Sequence, residues 1–169
     1  MALCLFAACG TNAETEETAS PSPSAEAELT AEERAQLYAD AITAARGDEE
    51  NEAYPVLKTG DEITDMYYQV LGITAEDAEA MAMSVSLINV KAYGIAVIKP
   101  AEGREEAVTT GLQSFIDNQM QSFQNYLADQ YEVAQNARLE TLDDGTVLLV
   151  MCDGQDTVFD AIVSAIEAE

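Results

Sequence analysis

ARLETLDDGTVLLVMC, residues 137–152, is the stretch that decides the fold. Charged and apolar residues alternate between Ala137 and Leu142, which predicts a strand with one exposed face. Asp144-Gly145 is a strong signal for a two-residue turn between antiparallel strands. The segment from Thr146 to Cys152 is apolar at consecutive positions and therefore predicts a central strand.

Further elements are predicted on both sides of these strands. Asp153 or Asp156 is expected to cap a final helix. Upstream, SVSLINV (84–90) and AYGIAVIK (92–99) predict two more strands, joined through the region around Lys91. A long helix is predicted after Gly103, with an apolar stripe of Val108, Leu112, Phe115, Ile116, Met120, Phe123 and Leu127.

The N-terminal part of the domain predicts helices. Thr30 and Glu33 form a capping-box pattern that opens a helix over about 31–46. A short extended piece is expected at 56–59, then a helix from Asp61 to Gly72 and a short helix from Thr74 through Met81. These elements predict one α+β domain over 30–169, with N-terminal helices before a ββαββα order. The expected sheet is small and antiparallel, has about four strands, and carries helices on one face.

The N-terminus reads MALCLFAACG. Phe6, Ala7, Ala8 and Cys9 resemble the lipobox of bacterial lipoprotein signal peptides, although Phe6 stands where leucine is usual and no Lys or Arg precedes it. The resemblance implies a signal remnant over 1–8, cleavage between Ala8 and Cys9, and a diacylglycerol on the Cys9 thiol. The alternative is that residues 3–8 form an N-terminal element of the fold.

Residues 9–29 predict a tether. After Cys9 this segment is rich in Ser, Thr, Ala, Pro and Glu and has no large apolar residue before Leu29. As a flexible coil it would have a root-mean-square reach of about 25 Å. A lipid on Cys9 would then hold the domain at the extracellular face of the cell membrane, with the bilayer as its partner.

The charge balance excludes several classes of function. The chain of 169 residues has 32 acidic and 7 basic residues, a net charge of −25, and no His. Nucleic-acid binding depends on clustered Lys and Arg, so a nucleic-acid partner is excluded. A basic patch for anionic lipid is excluded for the same reason.

A second resemblance covers about 54–169. Leu71-Gly72-Ile73, Ile98-Lys99 and the segment Asp129-Gln130-Tyr131-Glu132 are similar to a domain-of-unknown-function family of Firmicute cell-envelope lipoproteins. Thr74 departs from the acidic residue expected after the Gly-Ile turn. The resemblance implies a lipoprotein and no particular activity.

Most candidate sites have a local explanation. Asp143-Asp144-Gly145 and the segment 153–156 suggest calcium, but a hairpin turn and a helix cap explain them better. With no His, zinc is unfavourable and Cys152 is expected to be a buried, inert thiol, so no metal or cofactor is predicted.

The other candidate motifs are equally weak evidence for a functional site. Arg46-Gly47-Asp48 matches the integrin tripeptide by coincidence, since Gly47 already serves as a helix stop. Ser84 and Ser86 lack a base other than Lys58, Lys91 or Lys99, and the last two are expected at strand ends as solvated charges. Tyrosines that could line a groove are expected to pack in the core instead; they are Tyr67, Tyr68, Tyr126 and Tyr131.

Three classes of function stay open. The favoured one is a non-catalytic, membrane-anchored module that binds a peptide, small ligand or envelope protein. The alternative is a structural component of the envelope that acts as a homo-oligomer. An enzyme would have to use a pair of carboxyl groups alone, as glycosidases do.

Overall fold

A computed structural model describes residues 29–168 of the chain. Within them the elements are α1 (Ala31–Ala44), α2 (Asp48–Ala53), β1 (Leu57–Lys58), α3 (Thr64–Val70), β2 (Ala78–Val85), β3 (Gly94–Pro100), α4 (Glu105–Phe123), α5 (Ala128–Gln135), β4 (Arg138–Thr141), β5 (Val147–Met151) and α6 (Gln155–Glu167). No helix among residues 29–168 is long and apolar enough to cross a membrane.

The strands form one antiparallel sheet in the order β1-β2-β3-β5-β4. The predicted α+β class and antiparallel sheet are confirmed, and β5 lies inside the sheet as its apolar sequence indicates. The sheet has five strands rather than about four, because the extended piece at Leu57 pairs with β2 opposite Met83.

Helices cover both faces of the sheet, so the predicted packing on one face is wrong. One face packs against α3, α4 and α5, and its strand residues include Met83, Ile98 and Leu149. The other face packs against α1 and α6 through residues such as Val97 and Val150. Successive side chains of a strand point to opposite faces, so a strand that is apolar at every position needs packing elements on both faces of its sheet.

The start of β2 corrects a second prediction. The helix expected from Thr74 through Met81 is only a 3-10 turn over Ala75–Asp77, and the chain then enters the strand. The strand AEAMAMSV is rich in Ala, Glu and Met, which are strong helix formers. Pairing with β1 and β3 and complete burial of residues 80–83 override that preference.

Two further boundaries differ from expectation. The strand predicted at 84–90 ends at Val85, and a loop follows to Tyr93. The long helix ends at Phe123, and Leu127 caps a separate helix, α5. The final helix has Gly154 at its N-cap, with φ of 71°, and neither Asp153 nor Asp156 caps it.

The predicted hairpin between β4 and β5 is present, but its turn is centred on Asp143-Asp144 rather than on the expected Asp144-Gly145, and three residues separate the closing pair Leu142 and Thr146. Gly145 has φ of 83°, a conformation that glycine adopts without steric cost. Its N–H donates to the Leu142 carbonyl at 2.9 Å, and Leu142 N–H donates to the Thr146 carbonyl at 2.8 Å.

Helix α1 spans the sheet from end to end. Near its start, Arg34 lies 3.9 Å from Glu79, at the beginning of β2. Just past its end, Arg46 donates to Ser84, near the end of β2, at 2.8 Å. Leu29 and the β2–β3 loop therefore lie at opposite ends of the domain, separated by about 20 Å of helix.

Candidate interaction surface

The β2–β3 loop, residues 86–93, projects from the end of the sheet near Arg46. The loop is closed at its base by a hydrogen bond from Ser86 N–H to the Tyr93 carbonyl at 3.1 Å. Within it, Val90 N–H donates to the Ile88 carbonyl at 2.8 Å, and Ile88 N–H donates to Ser86 Oγ at 3.3 Å. These bonds give the loop a defined conformation.

Neighbouring elements hold the loop from three sides. The Tyr126 hydroxyl, between α4 and α5, donates to the Asn89 carbonyl at 2.8 Å. Ala92 N–H donates to Gln130 Oε1 of α5 at 2.9 Å, and this amide is buried. Lys91 Nζ forms an ion pair with Asp153, between β5 and α6.

The loop presents aliphatic side chains to solvent. Leu87 is 53% exposed, Ile88 66% and Val90 64%; we call these three residues the apolar tip. Tyr126 beside them is 57% exposed. These four account for most of the seven large hydrophobic residues exposed within the described range. Since burying one aliphatic side chain is worth about 1.5–3 kcal/mol, the tip offers several kcal/mol to a partner that covers it.

Three acidic residues lie near Lys91, which follows the tip in the chain. Asp153 pairs with the Lys91 ammonium, and the charges of Glu50 and Asp129 also interact with it; we call Glu50, Asp129 and Asp153 the acidic collar. The hydrogen bond to Asp153 raises the pKa of Lys91, and the negative charge of Glu50 acts in the same direction. The Gln130 side chain donates to Asp129 at 2.9 Å and lowers the pKa of that carboxyl, helped by the charge of Lys91. Three carboxylates thus lie near one partly exposed ammonium, that of Lys91, so the net charge of this cluster is negative.

A buried arginine supports the base of the loop. The Arg46 side chain donates to Ser84 Oγ at 2.8 Å and to the Tyr93 hydroxyl at 2.5 Å. It also donates to the Tyr54 carbonyl at 3.2 Å and to Asn51 Oδ1 at 2.7 Å. Among residues 29–168 no carboxylate lies within ion-pair distance of this guanidinium. Through these uncharged acceptors, the Arg46 guanidinium joins α1 and α2 to strands β2 and β3.

The burial of Arg46 shows whether Arg46-Gly47-Asp48 could act as an integrin-binding motif. Arg46 is only 8% exposed, and its guanidinium is used inside the domain. It cannot be offered to a receptor as an exposed integrin motif requires, which agrees with the interpretation of the match as a coincidence.

Aspartates of the two clusters proposed for calcium, 143–145 and 153–156, form hydrogen bonds and ion pairs within the domain. Asp144 accepts hydrogen bonds from Thr146 N–H at 2.8 Å and Thr146 Oγ1 at 2.7 Å. Partial burial raises the pKa of Asp144, but these bonds and the charges of Lys99 and Arg34 outweigh it, so the pKa lies below its ordinary value. In the other cluster, Asp156 lies 3.4 Å from Arg138. No group of three or more potential metal ligands occurs between residues 29 and 168.

The cysteine and serine considered above as nucleophiles are buried. Cys152 is 1% exposed, so the prediction of a buried thiol is confirmed, and burial raises the pKa of this thiol to about 12. Ser84 accepts from Arg46 and donates to the Tyr54 carbonyl at 2.8 Å. The Lys99 ammonium donates to the Asp144 carbonyl, and Lys91 pairs with Asp153, so both partly exposed lysines have partners.

The tyrosines do not share a groove. Tyr68 is buried in the core, and Tyr67 and Tyr131 are partly buried residues that pack against this core. Tyr126 is the exception, because it lies on the surface and holds the loop.

One depression among residues 29–168 has three carboxylates in its lining. It has a volume of about 370 Å³ and includes Asp61, Glu62 and Asp65. All three side chains are exposed, and Asp61 accepts a hydrogen bond from Lys58 N–H at 2.9 Å. The three carboxylates are therefore open to solvent.

Sequence reasoning missed the tip because SVSLINV has a strand-like composition. Ser86 and Asn89, both common in turns, are the signal that could have located it. Ala8 and Cys9, the predicted cleavage and lipidation positions, lie outside the described residues.

Comparison with known protein families gives a match. The model of a family described as a domain of unknown function (DUF4358) matches residues 50–152. No curated protein and no solved structure matches the chain significantly. The matched range contains all five strands and the whole apolar tip, and it leaves out α1 and α6.

Proposed function

The chain belongs to the DUF4358 family of domains of unknown function, and from that premise we propose that it is a non-catalytic interaction module held by a lipid at the extracellular face of a cell membrane. The observation that carries the proposal is the apolar tip. Exposed aliphatic side chains on a loop held by Tyr126, Gln130 and Asp153 are typical of a surface that awaits a partner.

The position of the tip fits a tethered module. The described chain begins at Leu29, next to the N-terminus of α1, whereas the tip lies beyond the opposite end of that helix. A lipid on Cys9 followed by a spacer with a reach of about 25 Å would attach the domain at its Leu29 end. The tip would then face away from the anchor, towards other components of the envelope.

Metabolic labelling with an alkyne fatty acid tests the anchor. The full chain and a Cys9→Ala variant are expressed in the cells that naturally produce the protein, and the label is read after affinity purification. We expect label on the unaltered chain and none on Cys9→Ala. Cys4→Ala is the matched control and keeps the label, because residues 1–8 are removed with the signal. Equal labelling of the Cys9→Ala variant and the unaltered chain would overturn the proposed anchor.

The extracellular position is tested on intact cells. A membrane-impermeant amine reagent is expected to modify the partly exposed lysines, Lys58, Lys91 and Lys99, before lysis. Modification only after lysis would place the domain on the other side of the membrane.

A further inference from the structure

The tip is already in a fixed shape before it meets a partner. Hydrogen bonds from Tyr126 and to Gln130 hold the backbone on either side of Val90, at 2.8 Å and 2.9 Å. A loop that is already ordered loses little conformational entropy when it is covered, so more of the gain from apolar burial remains as affinity. This favours a partner with a preformed cavity.

The acidic collar restricts what that partner can be. Glu50, Asp129 and Asp153 come from three different parts of the chain and lie near the Lys91 ammonium. Asp153 pairs with that ammonium, and Asp129 accepts a hydrogen bond from Gln130, the residue that holds Ala92 of the loop. Two copies meeting tip to tip would place two such collars against each other, and like charges disfavour that contact. An anionic lipid surface would be repelled in the same way.

We propose that the apolar tip and the acidic collar form one docking site for a second envelope protein, which receives Leu87, Ile88 and Val90 in an apolar pocket rimmed by Lys and Arg. This inference rests on the proposed function as an interaction module and adds the chemistry of the partner. Apolar burial supplies the affinity, and the charges around it supply orientation and selectivity.

Photo-cross-linking in living cells tests the site. Ile88→p-benzoylphenylalanine places a photoreactive side chain on the tip, and Ala161→p-benzoylphenylalanine places it on an exposed position of α6 as the control. After irradiation, the tagged full chain is purified and cross-linked peptides are identified by mass spectrometry. We expect one protein to cross-link from position 88 and not from position 161, through a peptide with Lys or Arg close to the attachment point.

Variants of the acidic collar test whether cross-linking depends on its charges or only on the exposed apolar tip. A variant that combines three changes, Glu50→Gln, Asp129→Asn and Asp153→Asn, is expected to lower the cross-linking yield by about tenfold. Moderate salt is expected to lower the yield of the unaltered chain to a similar extent. The matched control combines Glu102→Gln, Glu105→Gln and Glu106→Gln, which changes net charge equally near Arg104, at the far end of the domain. It is expected to leave the yield unchanged. The circular dichroism of both variants checks that the fold is intact.

Four results would overturn the inference. They are a cross-link to a second copy of this chain, an adduct with phospholipid, no adduct from position 88, and a captured protein whose yield ignores the collar variant. Loss of fatty-acid label in the unaltered chain would instead overturn the anchor. Because label and cross-link are measured separately, the failure of either proposal is recognised without the other.

Discussion

Tyr126 and Asn89 are 37 residues apart in the chain, and the Tyr126 hydroxyl donates to the Asn89 carbonyl at 2.8 Å. The bond joins the α4–α5 connection to the middle of the β2–β3 loop. Tyr126 is itself packed against Phe123, with ring centroids 5.9 Å apart, so the donor is positioned by the core. The contact makes the shape of the apolar tip depend on a helix on one face of the sheet.

Replacing Tyr126 with Phe should loosen the loop without unfolding the domain. The change removes one hydrogen bond at an exposed site, worth about 0.5–1.5 kcal/mol. We expect amide hydrogen exchange to become faster at residues 86–91, with little change in the strands. Tyr67→Phe is the control, because the Tyr67 hydroxyl makes no hydrogen bond to residues 29–168. Equal exchange in both variants would show that the Tyr126 bond does not hold the loop.

Replacing Arg46 with Ala should cost far more. Its guanidinium is buried and bonds to Ser84, Tyr93, Tyr54 and Asn51, so truncation leaves several buried polar groups without partners. We expect the free energy of unfolding to fall by about 3 kcal/mol, measured by urea denaturation.

The control for Arg46 is Arg104→Ala. Arg104 is half-exposed and lies 3.5 Å from Asp77, so its loss should cost less than about 1 kcal/mol. Similar losses for the two arginines would contradict the structural role given to Arg46.

The fold was predictable where one local signal agreed with the global pattern. The Asp144-Gly145 signal and the apolar run of β5 identify two neighbouring strands correctly. The run also contains the evidence for two covered faces, since Leu148 and Leu149 cannot both point to the same side of the sheet. Interpreting it only as a sign of a central strand led to the prediction of helices on one face.

The candidate site was not predictable in the same way. Leu87, Ile88 and Val90 have the composition of a buried strand, and only the register of β2 against β3 places them beyond the end of the sheet. The collar brings together Glu50, Asp129 and Asp153, which are far apart in sequence, so no spacing indicates it. The burial of Arg46 depends on the same long-range packing.

Acid should weaken the 3-10 turn before β2. Asp77 accepts hydrogen bonds from Thr74 N–H at 2.8 Å and Thr74 Oγ1 at 2.7 Å, and these bonds lower the pKa of its carboxyl. A carboxyl with a lowered pKa in the folded state stabilises the protein above its unfolded pKa of about 3.9. That contribution is lost as the pH falls from there through the folded value.

Urea midpoints between pH 2.5 and pH 7 measure this effect on variants of the turn, a pH range set by the reference carboxyl pKa near 4. We expect Asp77→Asn to be less stable than the unaltered chain at pH 7, with a difference that shrinks as the pH falls below about 4. Glu76→Gln, an exposed neighbour, is the control and should follow the unaltered chain. A constant difference across the whole range would exclude the ionised carboxylate as the source.

Gly111 in α4 should not tolerate even a methyl group. A Cβ at this position would lie 2.5 Å from Ile73 Cγ2 and 2.6 Å from the Gly72 carbonyl oxygen. Alanine normally stabilises a helix by about 1 kcal/mol relative to glycine, but here the backbone of the α3–β2 connection would have to move. We expect Gly111→Ala to lower the free energy of unfolding by about 1–3 kcal/mol in urea. Thr110→Ala, exposed on the same helix, should change it by less than about 0.5 kcal/mol. A stabilised Gly111→Ala variant would mean that helix propensity outweighs the close approach of α4 to Gly72.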